Sequence, residues 1–482
     1  MEQITYHENV SRMQDKVIET RAALAGEFFV KELRTTLLPH PSSVDSTSAD
    51  AQERYNIYLS NAEYDGYPAQ TIESLIGRMK FDSATIELPE KISYLIESAD
   101  GDGLSLQGMM QNSAAEILPL KWQCLVADYH GLSDVNINDI SLEEIKRLNP
   151  RSTIKAYSRE NVVNWHFERV NGALQLVYLL LREIGSTFDS VNGLRSKVES
   201  FLILGIDENG NYYQQKIVRG IDSGLETGEL SYVTVNKAPL KWMPVIFASD
   251  KELASGKLPL DLGYLSPICD LALARYRMSA EYKETMRNLP PTTYVAGANT
   301  NYQEDFQKAN GRTFIMTGSG SVNVLPDGCV ISIVGAETSI EPYERYFERN
   351  TEQARQLGAV IKDSSSAKTA TEVVADSSES NSRLVSLANS IEQCYRRLCL
   401  YCGMFEGLWP ADAIESNMDK VVIELTREFT QAKLSPQDRD AIRNDFLAGL
   451  IPKSEALAQL QSGGVLEDDA QTLLDMADSG QI

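Results

Sequence analysis

Apolar residues recur at spacings of three and four along much of the chain, which predicts a largely helical protein. Residues 1–35 carry this period through Val17, Leu24 and Phe28. It stops at "LLPHPSSVDSTSAD", where Pro39, Pro41 and a serine-rich run predict a linker. The period returns in "AQERYNIYLSNAEYDGYPAQTIESLIGRM", with Tyr55, Tyr58, Leu59 and Ala62 on one stripe and Ile72, Leu75, Ile76 and Met79 on another. From about residue 115 to 250 strand-like alternation takes over. There Asn171-Gly172 and Asn209-Gly210 each separate two extended runs, as expected of tight hairpins that need positive φ. This block reads as mixed α+β.

Helical periodicity resumes in "GYLSPICDLALARYRMSAEYKETMRNLPP", residues 263–291. Ser266 is placed to cap a helix, Pro267 suits its first position and Pro290-Pro291 ends it. Such a helix would extend roughly 35 Å. Residues 292–337 then read as a small β unit inserted between helices. A second helix follows over about 340–361, with Tyr343, Phe347, Ala354, Leu357 and Ile361 on its apolar face. A third covers about 369–405, with Leu384, Leu387, Ile391, Cys394, Leu398, Cys402 and Phe405 forming a stripe that would pack lengthwise. From 413 onward the pattern is helical again and ends acidic. Between the second and third helices lies "AVIKDSSSAKTATE", residues 359–372, whose serines and threonines compete with the backbone for hydrogen bonds and predict a break.

Length and charge narrow the classes. A chain of 482 residues has room for two to four structural units. With 45 basic and 68 acidic residues the formal charge is −23, which argues against a surface that grips nucleic acid by its phosphates. An acidic wall can still surround DNA without holding it, with a few local cations guiding the strand. No opening segment has the form of a signal peptide, and no apolar run approaches a membrane span, so the chain reads as cytoplasmic. Six cysteines, at 124, 269, 329, 394, 399 and 402, are too sparse for a disulfide scaffold and are expected to be reduced.

Catalytic patterns are few. The chain has no G-x-x-x-x-G-K-[ST] loop, and "TGSGSVNV" at 317–324 leads into a strand-like run, without the helix N-terminus that phosphate loops use. Cys399 and Cys402 form a C-x-x-C, but no second ligand pair follows, and Cys394 and Cys402 fall on the apolar stripe, which favours buried thiols over zinc. His7, His40, His130 and His166 are scattered, and His166 beside Trp165 reads as structural. "ESADGDGLSL" offers Glu97, Asp100 and Asp102 for acid-base chemistry or a cation. It lacks the further ligands of an EF-hand and reads more simply as a glycine-rich turn before a capped helix. No metal or cofactor is expected.

The order of the parts carries a resemblance. "ERYNIYLSNAEYDGYPAQTIESLIGRM", "SADGDGLSLQGM", "SRENVVNWHFE", "SPICDLALARYRMSAEY" and "QARQLGAVI" followed by "SSAKTATEV" occur in an order similar to the blocks of the podovirus-type portal (head-to-tail connector) proteins of tailed bacteriophages. They span about residues 53–373. The resemblance implies an α+β portal fold of mainly long helices with a small inserted β unit. Residues 1–262 would form the wing, 263–288 the first stem helix, 289–337 the clip and 338–361 the second stem helix. Residues 362–368 would be the tunnel loop, 369–412 a long wing helix and 413–482 a helical crown.

It further implies a homo-oligomeric ring, usually a dodecamer of about twelve subunits, at one capsid vertex of the virion, assembled in the host cytoplasm. Double-stranded DNA would pass through its channel during packaging and ejection. Adaptor or tail proteins would dock on the clip, the major capsid protein would surround the ring and the terminase would bind during packaging. The family does not hydrolyse ATP itself, so no enzymatic activity is expected. In the tunnel loop Lys362, Asp363, Ser364, Ser365, Ser366 and Lys368 would face DNA, with the two lysines making transient phosphate contacts. Two rivals are a soluble α+β enzyme using Glu97, Asp100 and Asp102, and another structural phage head or tail protein.

Overall fold

The computed structural model describes residues 4–41, 47–130, 151–170, 172–189, 192–219, 225–235, 238–251, 253, 256–289, 292–297, 301–313, 315, 322–334, 339–361, 370–427, 436–449, 452 and 456. Helix accounts for 47% and strand for 23%, in several small antiparallel sheets, so the fold is mixed α+β. The helices are α1 (Glu8–Ala25), α2 (Glu27–Glu32), α3 (Ala49–Asn61), α4 (Tyr67–Arg78), α5 (Leu106–Leu120), α6 (Ser266–Asn288), α7 (Tyr302–Asn310), α8 (Glu341–Gln356), α9 (Ala370–Phe405) and α10 (Pro436–Leu447). The strands that matter here are β1 (Thr85–Glu87), β2 (Trp122–His130), β3 (Arg151–Tyr157), β4 (Val162–Val170), β5 (Ala173–Asp189), β6 (Leu194–Ile206), β7 (Tyr212–Arg219), β8 (Leu225–Thr227), β9 (Val245–Ser249), β10 (Thr292–Ala296), β11 (Val330–Val334) and β12 (Val422–Glu424). The chain divides into two compact units. One comprises residues 1–20, 70–266 and 360–482, and the other residues 21–69 and 267–359.

In the first unit the Asn209-Gly210 turn joins β6 to β7 and Gly172, at φ +84°, lies between β4 and β5, while Asn171 is outside the described residues; the antiparallel sheet is ordered β4-β5-β6-β7-β8. Val163, Leu180, Phe201, Ile203 and Ile217 bury one cluster of that sheet. A second sheet, β9-β2-β3, packs with α5 and the C-terminal part of α9. On α9, Leu384, Leu387, Ile391, Leu398 and Cys402 are buried, so the expected stripe does face a core. Tyr395 is sealed there too, its hydroxyl sharing a hydrogen bond of 2.7 Å with Ser113 and donating to the Met109 carbonyl at 3.0 Å. Gly403 is required by its neighbour: a β-carbon at that position would lie 2.3 Å from Trp409, whose indole N–H donates to the Leu400 carbonyl.

The region after α9 departs from the expectation of helix. Residues Glu415–Lys420 form a 3-10 turn, and β12 pairs antiparallel with β1, Ile423 opposite Ile86. The run Val421-Val422-Ile423 is β-branched, which favours a strand. Arg396 Nε donates to the Val421 carbonyl at 2.7 Å, and Glu392 accepts from the Leu425 amide and from both terminal nitrogens of Arg427. Helix α10 lies further on, at Pro436–Leu447.

The second unit is built on helices. On α3 the expected stripe of Tyr55, Tyr58 and Leu59, with Ala62 just beyond its end, is buried. Tyr58 donates to Glu281 on α6 at 3.3 Å, and Ser279 both donates to the Glu63 carbonyl and accepts the Glu63 amide at 2.9 Å. The helix expected over residues 1–35 is broken at Gly26, whose φ of +99° only glycine adopts easily.

The segment leading into α6 is fastened inside the first unit. Arg159 is buried and donates to the carbonyls of Leu120 (3.0 Å), Asp261 (2.7 Å) and Leu260 (2.7 Å), while its guanidinium lies over the Trp122 ring at 5.3 Å. Trp122 in turn donates to the Pro259 carbonyl at 3.2 Å. Burial lowers the Arg159 pKa to about 10, so it is still charged at neutral pH. The Gly263 and Leu265 amides complete the seam by donating hydrogen bonds to the Pro119 and Leu118 carbonyls. Replacing Arg159 with methionine strands the buried Leu120 carbonyl and frees the part-buried carbonyls of Leu260 and Asp261, and is expected to lower stability by about 2 kcal/mol in urea titration, whereas Arg169→Met, on the exposed end of β4, shifts the midpoint little.

Candidate functional site

The site of interest is the helix pair α6 and α8 with the chain inserted between them. Polar contacts along the pair match Leu271 with Asn350, Arg275 with Phe347 and Thr351, and Thr285 with Tyr343. Positions rising on α6 meet positions falling on α8, so the helices run antiparallel. Arg275 Nη1 donates to the Phe347 carbonyl at 3.1 Å and to Thr351 Oγ1 at 3.0 Å, and its guanidinium lies over the Phe347 ring at 4.9 Å. Arg275 also forms an ion pair with Asp65. Asn350, almost fully buried, donates to the Leu271 carbonyl at 3.1 Å. Toward the other end Tyr282 packs on Tyr343 and Phe347, with ring centroids 5.8 and 5.6 Å apart.

The insertion is closed by β10 and β11, which pair antiparallel from Thr292 opposite Val334 to Ala296 opposite Val330. It is not all strand. Helix α7 lies inside it, ended by Gly311 at φ +66°, with Phe306 buried. Asn310 steadies the following loop by donating to the Val324 carbonyl at 2.7 Å and accepting the Val324 amide at 2.8 Å. Only residues 322–324 of "TGSGSVNV" are among the described residues.

Beyond α8 the chain turns at Gly358, φ +86°, in the second unit. The next residue but one, Val360, belongs to the first unit, where its amide donates to Thr71 Oγ1 on α4 at 2.9 Å. Lys362, Asp363, Ser364, Ser365, Ser366 and Lys368 lie outside the described residues. The outward face of α8 is charged and exposed, with Glu341, Glu344, Glu348 and Glu352 against Arg345 and Arg349. Arg355 in the last turn pairs with Glu352, so four carboxylates face three guanidiniums and the helix keeps an acidic excess of one.

The carboxylates of the enzyme reading do not converge. Asp100 and Asp102 line a cavity of about 950 Å³ in the first unit, together with Arg151, Lys155, Tyr157 and Glu183. Glu97 is exposed at the C-terminal end of a 3-10 helix and is not part of that lining. Asp100 is engaged by its own loop, accepting the amides of Asp102 (2.8 Å) and Leu104 (3.0 Å), while Ser105 caps α5 by accepting the Gly108 amide. Tyr157 donates to Glu183 at 2.8 Å, and burial beside that carboxylate pushes its hydroxyl far above the ordinary tyrosine range, so it keeps its proton at neutral pH.

The cysteines behave as apolar side chains. Cys399 and Cys402 are buried and free, and burial pushes the Cys402 thiol up to about 12 and Cys399 upward as well, so neither offers a thiolate. Among the described residues no group of three or more His, Cys, Asp or Glu is placed to hold a metal, and no helix is long and apolar enough to cross a membrane. His166 is exposed on β4, and it is His7 that stacks on Trp165, at 4.0 Å.

Residues 265–405 match a domain of unknown function, DUF4055. The match begins one residue before α6 and ends with α9, so it covers the helix pair, its insertion and the long helix that follows. No curated protein matches the chain.

Arg275→Met keeps the aliphatic packing of the side chain but removes its bonds to Phe347, Thr351 and Asp65. It is expected to cost about 2 kcal/mol in chemical denaturation, with Arg275→Lys recovering only part because an ammonium cannot span the same acceptors.

Proposed function

We propose that this protein is a portal, the ring at one vertex of a tailed-phage capsid through which double-stranded DNA enters and leaves. The observation that carries the reading is the antiparallel pair α6 and α8, closed at one end by the β10-β11 ladder with α7 and followed by the 36-residue helix α9. In this reading α6 and α8 are the stem helices, and the insertion between them is the clip that receives adaptor or tail proteins. Residues 362–368 are the tunnel loop. Residues 1–262 and the long helix over 369–412 belong to the wing, beside the major capsid protein, and residues 413–482 to the crown. The terminase motor supplies the energy of packaging, so the portal needs no nucleotide site of its own.

Charge supports the same function. A translocating duplex requires a wall that does not hold it, and a chain of formal charge −23 with a net acidic α8 face repels phosphate. Lys362 and Lys368 are then the local cations that steady the strand, separated by serines too small to obstruct it.

Purified protein viewed by negative-stain microscopy should form annuli with a central hole, and particles of single chains at every concentration would overturn the proposal. Lys368→Glu should leave ring assembly intact and reduce the amount of DNA packaged or retained. Full packaging and retention in that variant would remove the role given to the loop.

A further inference from the structure

The N-terminal segment lies along the end strand of the largest sheet, and His7 fastens it there. Strand β4 ends the order β4-β5-β6-β7-β8, and its pairing with β5 shifts register between Val162 and Asn164. At that irregularity the Val163 carbonyl accepts the His7 amide at 2.9 Å, and Asn164 Nδ2 donates to the Thr5 carbonyl at 3.1 Å. Ile4 packs against the cluster that contains Val163, Leu180 and Phe201. An uncovered end strand invites pairing with another chain, so residues 4–7 guard β4.

The His7 ring adds two contacts. It stacks on the buried Trp165, with centroids 4.0 Å apart and 10° between the planes. His7 also directly precedes α1, where its carbonyl accepts the Val10 and Ser11 amides at 2.9 and 3.2 Å and its Nδ1 accepts the Asn9 amide at 3.2 Å. The imidazole does the work of an N-cap hydroxyl or carboxamide, satisfying a donor that the helix itself leaves over. An amide donating to Nδ1 requires that atom to be unprotonated and puts the single ring proton on Nε2.

A second proton is opposed from several sides. It would sit on Nδ1, turning the acceptor into a donor that faces the Asn9 N–H, and would place a cation at the positive end of the α1 dipole. Behind Trp165, Trp122 meets it edge to face at 6.1 Å and carries the Arg159 guanidinium over its own ring, so the aromatic stack already holds one cation. In favour of the proton are the attraction of an imidazolium for the Trp165 face and the Glu8 carboxylate on α1. The β4 residues that meet the segment, Val163, Asn164 and Trp165, carry no charge, and the exposed His166 alternates to the opposite face of the strand. Burial lowers the His7 pKa below the ordinary histidine value by more than Glu8 raises it.

We infer that residues 4–7 are an acid-released strap: when the His7 ring takes up a proton, the cap on α1 opens and the segment leaves β4, uncovering the strand edge and Trp165. A histidine whose pKa is lower in the closed form contributes fully above about pH 6.5, the value it regains on release, and loses that contribution as the pH falls below it. The strap is independent of the ring reading, because its contacts all lie within the first unit.

Hydrogen exchange of the full-length protein, read by mass spectrometry at about pH 7.5 and about pH 5 and corrected for intrinsic rates, tests the strap. In the wild type, exchange in the peptide covering residues 4–12, which holds the His7 and Asn9 amides, should rise about threefold or more at the lower pH, while the β5-β6 hairpin keeps its protection. His7→Asn retains a cap acceptor that does not titrate, so exchange in the same peptide should be equal at the two pH values. A wild-type strap equally protected at both pH values overturns the inference. So does a His7→Asn chain that loses protection on acidification as fully as the wild type, the result expected if carboxylates elsewhere open the sheet.

Discussion

The antiparallel packing of α6 on α8 is the constraint on which the rest of the second unit depends. Two helices of 23 and 16 residues leave one end at an inserted segment and must be held in register along their length. Apolar contacts alone, Tyr282 on Tyr343 and Phe347, would tolerate sliding. Arg275 and Asn350 do not, because each directs donors at specific acceptors on the opposite helix. Moving the register by one residue would leave the buried Asn350 amide without its acceptor, at a cost of about 1–3 kcal/mol, and would take from the part-buried Arg275 its two bonds to α8. The same register sets where β10 and β11 emerge and can pair.

On either side of that pair the chain is fastened within the first unit. Before α6, Arg159 and Trp122 hold residues 259–261, and the amides of Gly263 and Leu265 bond to the end of α5. After α8, Gly358 makes the turn and Thr71 takes the Val360 amide. The DUF4055 match runs from α6 through α9.

Much of this was legible in the sequence where one physical rule dominates. The Tyr55, Tyr58, Leu59 and Ala62 stripe, the Asn209-Gly210 hairpin and the long helix α9 follow from periodicity and positive-φ turns, and each is present. Misreadings arose where two signals compete. Phe28 looked like a core residue by spacing, but the Gly26 break rotates it to the surface. Helix α7 was hidden among turn residues, and the β-branched run 421–423 was lost in helical surroundings. Arg275 and Asn350 were not legible at all, since a charged or amide side chain in an amphipathic helix looks solvent-exposed until its partner helix is known. The lysines and serines of residues 362–368 stand out only by composition and resemblance, and they lie outside the described residues.

Native mass spectrometry of the full-length protein tests the central claim most directly, because it counts chains in a single particle. The account predicts one dominant closed assembly of many copies with no ladder of open intermediates at high concentration. A monomer or dimer as the only species would contradict it.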